Sequence, residues 1–97
     1  MDARKSLSLK IEECLKELHD ARFVHGDVRN TNILVERERG LDEPFLLLDY
    51  DFSGEIGKVQ YPLDLNVTTV NRPDGATYGG LIEVEHDLKM LDYIRTV

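Results

Sequence analysis

His25-Gly26-Asp27-Val28-Arg29-Asn30-Thr31-Asn32, running into Ile33-Leu34-Val35, is the stretch on which the reading of the fold turns. A polar loop passes without a break into an apolar run that reads as a strand. Upstream, Phe23 and Val24 form a short extended piece that feeds the loop. Before them, Leu7, Ile11, Leu15 and Leu18 recur at helical spacing with Cys14 on the same face, and Glu12, Glu13, Lys16 and Glu17 fall between. That pattern predicts an amphipathic helix from about Ser6 to Ala21. Ser6 and Ser8 are both candidate caps, and no capping box fixes the start. Cys14 is expected to pack as a small hydrophobe.

Downstream, Glu36 to Pro44 is a charged connection with Gly40 and Pro44 as breakers. Phe45-Leu46-Leu47-Leu48 is apolar without alternation, which predicts a strand buried on both faces, and it ends in Asp49-Tyr50-Asp51. The two strands are expected to form a small antiparallel ribbon packed on the helix. Residues 52–80 hold five of the seven glycines and two of the three prolines. They read as irregular, with a short strand near 66–70, and a structureless stretch of that length is usually functional or mobile. Val84, Leu88, Leu91 and Ile94 then mark one face of a second helix. The expected fold class is α+β: helix, short antiparallel ribbon, irregular segment, helix, all in a single domain over 1–97.

Composition narrows the function. The 97 residues leave room for one domain. Twelve Lys and Arg stand against nineteen Asp and Glu, a net charge of −7, which opposes binding to nucleic-acid backbones or to an anionic membrane surface. Charged residues at 32% and hydrophobic residues at 41% exclude a disordered acidic tail. The longest apolar run spans 45–48, far short of a membrane span, and the first ten residues lack the apolar stretch of a signal peptide. One cysteine excludes an internal disulfide and a cysteine-based zinc site. These points together suggest a soluble, intracellular and cytoplasmic protein.

The chemistry-bearing residues sit in two places. Asp27 and Asn32 lie five residues apart in the loop, and Asp49 and Asp51 follow the second apolar run. Asn32, Asp49 and Asp51 are oxygen donors of the kind Mg²⁺ takes, an ion that keeps waters and substrate phosphates in its shell. A carboxylate outside that set is suited to orient a hydroxyl for in-line attack on a phosphoryl group. Singly, each of these residues reads better as a turn residue than as a ligand.

As a whole, the string resembles the catalytic loop of the protein-kinase-like phosphotransferases: His-x-Asp, four residues, then Asn before an apolar strand. Leu18-His19 followed by Val24-His25 is similar to that family's junction between helix and catalytic loop. Leu47-Leu48-Asp49-Tyr50 resembles the strand leading into the metal-binding Asp of Asp-Phe-Gly. His86-Asp87-Leu88-Lys89-Met90-Leu91 resembles the start of the long central helix of the C-lobe, where an Asp braces the catalytic loop from behind. Gly26 together with Val59-Gln60-Tyr61-Pro62 looks most like the fungal-type kinase-like proteins.

The resemblance implies that Asp27 is the catalytic base and that Arg29 contacts the transferred phosphate. It implies that Asn32 and Asp49 bind the metal and the nucleotide, with Asp51 a further metal ligand. Mg²⁺ and ATP are the implied cofactors, and His25 and Asp87 the implied braces. Departures accompany the likeness. Gly26 stands in place of the Arg of His-Arg-Asp, as in small-molecule phosphotransferases. Asp51-Phe52-Ser53-Gly54 gives a rival alignment in which Asp51 is the main ligand. No glycine-rich loop, strand lysine or helix glutamate occurs, so the likeness covers a C-lobe fragment without the ATP-clamping N-lobe. The first expectation is a phosphotransferase core with little or no activity on its own. The alternative is a non-catalytic, pseudokinase-like module that self-associates or binds a protein partner, its exposed apolar surface being covered in a homo-oligomer. A small α+β domain whose acidic loop has no chemical role is the third.

Overall fold

The computed structural model describes residues 3–35 and 45–95. The charged connection expected over 36–44 lies outside the described residues. Helix α1 spans Ala3–Asp20. Its apolar stripe buries Ile11 and Leu15 fully, with Leu7 and Cys14 packed at the margin. Burial, then the Glu17 carboxylate, push the Cys14 thiol above its ordinary range. The helix ends as Ala21 N donates to Glu17 O and Arg22 N donates to His19 O. Arg22 takes a left-handed φ of 74°, a conformation that glycine more often supplies after a helix. The turn delivers the chain into strand β1, Phe23–Val24.

Strand β2 is Ile33–Val35, and β3 is Phe45–Leu47. They pair antiparallel, with Ile33 opposite Leu47 and Leu34 opposite Leu46. This is the ribbon the sequence predicts. A second two-stranded sheet was not expected: β1 pairs antiparallel with β4, Gly54–Glu55. Helix α2 spans Val84–Arg95. The chain is thus a small α+β domain of two helices and two separate antiparallel sheets among the described residues.

Three expectations are corrected. The strand at 45–48 is one-sided, since Leu47 is buried while Leu46 is 59% exposed and Leu48 is also exposed. Its inner face meets Ile11, Leu15 and Met90, but no described element covers the outer face. No strand forms at 66–70, because the Asn66 side chain wins the local competition: its Oδ1 accepts from Thr68 N and Thr69 N, each at 3.1 Å. Helix α2 turns Asp87, Met90 and Leu91 inward and leaves Leu88 exposed. The rotation follows from the bonds that draw Asp87 into the interior.

Two apolar clusters result. Ile11, Leu15, Val28, Leu47, Met90 and Leu91 form the first. Val24, Tyr61, Leu65, Ala76 and Ile82 form the second. The irregular segment is therefore packed: Tyr61 N donates to Gly80 O at 2.8 Å and Ile82 N to Val59 O at 3.0 Å. Val24 belongs to one cluster and Val28 to the other, so residues 25–27 cross between the two cores. The Tyr61 hydroxyl is buried with no hydrogen-bond partner among the described residues. Burial, followed by the Asp87 charge, pushes that phenol well above its ordinary range.

Urea unfolding followed by circular dichroism tests this packing. Leu15→Ala should cost about 2–5 kcal/mol, whereas Leu46→Ala should stay within about 0.5 kcal/mol of the parent. Equal losses for the two would contradict the one-sided strand. Tyr61→Phe removes an unpartnered buried polar atom and should raise the unfolding free energy by about 1 kcal/mol; a fall would show that the hydroxyl is satisfied.

Candidate functional site

The loop is built around a buried acid. Asp87 is fully buried, in the first turn of α2. Its Oδ2 accepts from His25 N at 2.8 Å and from His19 Nε2 at 2.9 Å, and its Oδ1 accepts from Gly26 N at 2.8 Å. Three donors at a helix N-terminus make the buried charge tolerable. Gly26 sits at φ 91°, and a Cβ there would lie 2.8 Å from Phe52 Cβ. Any side chain at this position is both strained and crowded, which is why the residue between His25 and Asp27 is glycine.

His25 carries the loop to the end of β3. Its Nε2–H donates to Leu48 O at 2.9 Å, and its Nδ1 accepts from Asp27 N at 3.1 Å. This pair of bonds sets the tautomer with the proton on Nε2. The Tyr50 ring stands edge-on to the imidazole at a centroid distance of 4.9 Å.

Asp27 is buried, and its carboxylate gathers three donors. Arg29 Nε and Arg72 Nη1 both donate to Oδ1, at 3.1 and 2.7 Å. Asn32 Nδ2 donates to Oδ2 at 3.1 Å and to the Asp27 carbonyl at 2.8 Å. These bonds commit the Asn32 amide nitrogen to Asp27 and leave its carbonyl oxygen, Oδ1, as the atom suited to a metal. The structure thus joins Asp27, Arg29 and Asn32 directly. It also adds Arg72, which the sequence reading missed. Arg72 lies 45 residues along the chain from Asp27, inside the irregular segment, with no motif around it.

Asn32 O accepts from Leu48 N at 2.7 Å, so Asn32 and Asp49 lie at the same end of the β2–β3 sheet. Asp49 is exposed and takes a left-handed φ of 58°. Asp tolerates that region better than most side chains, and such outliers cluster at functional sites. Asp51 N donates to Asp49 Oδ1 at 3.3 Å. The chain is therefore turned between Asp49 and Asp51. A left-handed residue at 49 breaks the alternation that would set residues 49 and 51 on one side of an extended strand. No group of three His, Cys, Asp or Glu side chains able to hold a metal ion occurs among the described residues. Any ion here would rest on Asn32 and carboxylate oxygens completed by other ligands.

No known family model matches this sequence, and none of the curated proteins compared with it is a detectable relative.

Removing the brace should be costly. Asp87→Ala strands two backbone N–H groups at about 1–3 kcal/mol each, and a thermal melt should show a larger loss than for Leu15→Ala. Gly26→Ala should also lower the midpoint, through contact with Phe52 and left-handed strain. A Gly26→Ala protein melting with the parent would show that the loop relaxes away from Phe52.

Proposed function

We propose that this chain carries the lower half of a kinase-like phosphotransfer site. The observation that supports it most is that Asp27 and Asn32 are bonded side chain to side chain and set against the end of β3, where Asp49 begins. The brace from Asp87 to the backbone of His25 and Gly26 supports the same reading.

The residues fit the chemistry of a magnesium nucleotide. Asn32 Oδ1 and the Asp49 carboxylate are hard oxygen donors, and Asp51, two residues on, offers a second carboxylate. A bound Mg²⁺ supplies neutralisation of the nucleotide phosphates. Asp27 takes the proton as the acceptor hydroxyl oxygen bonds to the γ-phosphorus and the bond to the departing ADP oxygen breaks. Arg29, whose side chain is 37% exposed beside Asp27, contacts the transferred group in this reading. Within these 97 residues there is no glycine-rich loop or strand lysine, so ATP affinity should lie near the millimolar range, about −4 kcal/mol.

A second reading has its own observation. Leu34, 56% exposed, stands directly opposite exposed Leu46 on the outer face of the β2–β3 sheet. In that reading the face is covered by a second copy or a protein partner, and the loop is a relic. The chain then acts as a pseudokinase-like interaction module. Its acidity disfavours nucleic acid as the partner. Among the described residues no helix is long and apolar enough to cross a membrane.

Calorimetry with ATP separates the readings. Binding should require Mg²⁺ and weaken in Asp49→Asn; equal binding by both proteins removes the metal from the account. Where turnover is measurable, Asp27→Asn should reduce it by about 10²–10⁴-fold. Leu46→Asp, by contrast, should disrupt association in sedimentation only if the apolar face is an interface.

A further inference from the structure

We infer that Arg72 is a positioning residue that fixes the Asp27 carboxylate so that Oδ2 alone is open to an incoming hydroxyl. An ionised carboxylate offers about four lone-pair sites, two on each oxygen. Arg29 Nε and Arg72 Nη1 fill both on Oδ1. Asn32 Nδ2 fills one on Oδ2. Among the described residues, the site left over is the second on Oδ2.

Arg72 is the fixed member of this set. Its side chain and that of Asp27 are each 5% exposed, against 37% for Arg29. Its Nε donates to Asn66 O at 3.2 Å, and its guanidinium carbon lies 5.7 Å from the centre of the Phe52 ring. Met90 Sδ is 4.0 Å from Nη1. Phe52 also fills the space that Gly26 leaves free. Asn66, in turn, holds its own turn through Thr68 N and Thr69 N. The turn at 66–69 must therefore be in place for the base to be aimed. A planar fork bonding an oxygen on each side does this, whereas an ammonium keeps the charge but spans only one of the two partners. The orientation of Asp27 stands on geometry alone. Its catalytic consequence rests on the phosphotransfer reading.

The test uses the full chain labelled with ¹³C and ¹⁵N, comparing the parent with Arg72→Met and Arg72→Lys. Backbone amide spectra report the fold. The Asp27 carboxyl carbon and the Asn32 side-chain amide report the orientation. In a folded Arg72→Met both signals should move, and Arg72→Lys should restore them in part. With an acceptor that turns over, Arg72→Met should lower kcat about 100-fold while leaving KM for ATP unchanged. Unmoved Asp27 and Asn32 signals in folded Arg72→Met overturn the inference. So does loss of the fold in both variants, which makes Arg72 a structural staple. If Arg72→Met unfolds, folded Arg72→Lys decides: partly shifted Asp27 and Asn32 signals support the inference, and fully native ones overturn it. Should the parent show the coupling but no turnover with any acceptor, the positioning role stands and the phosphotransfer reading falls.

Discussion

One buried carboxylate sets the register of the whole molecule. Asp87 receives a proton donor from the last turn of α1, through His19, and two from the loop, through His25 N and Gly26 N. It belongs to the first turn of α2, where the helix dipole favours a negative charge. The same turn is capped as Glu83 N donates to His86 Nδ1. Three elements that meet nowhere in sequence are thereby pinned at a point. The rotation of α2 follows, since a helix that must aim residue 87 inward also aims Met90 and Leu91 inward. These two side chains then close the first core over Ile11 and Leu15.

The loop is constrained from both ends as a consequence. Val24 and Val28 are anchored in different cores, so the backbone at 25–27 has little freedom to slide. Gly26 removes the one side chain that would collide with Phe52. His25 spends both ring nitrogens on internal bonds, one to Leu48 and one back to Asp27. The outcome is a carboxylate held in a defined orientation beside the end of β3. Under the proposed phosphotransfer function, preorganisation of that kind is what positioning catalysis needs.

The sequence disclosed the parts whose signals are local. Helices α1 and α2 carry 3.6-residue periodicity, and the loop carries Asp27, Arg29 and Asn32 within six consecutive residues. The direct bonds among those three follow from that closeness. Other features depend on distant contacts and left no mark. The β1–β4 pair consists of two-residue strands, too short for any alternation to register. A run of Phe and three Leu reads alike whether one face or both are covered, so the exposure of Leu46 was hidden. Arg72 was hidden for the same reason. A single Arg before a Pro in an irregular segment carries no period, and its value comes only from lying next to Asp27 in space. Asp49 was legible as a residue but its left-handed backbone, which turns the chain out of an extended course before Asp51, was not.

In the proposed function, Asn32 and Asp49 together face a metal-bound nucleotide. The most direct measurement replaces magnesium with Mn²⁺, whose unpaired electrons broaden nearby nuclear resonances, and titrates it with ATP into the ¹⁵N-labelled chain. Broadening is expected to centre on Asn32 and residues 48–51, to depend on nucleotide and to weaken in Asp49→Asn. Broadening centred on other carboxylates, or none at high nucleotide with those resonances fully resolved, would contradict the proposed function.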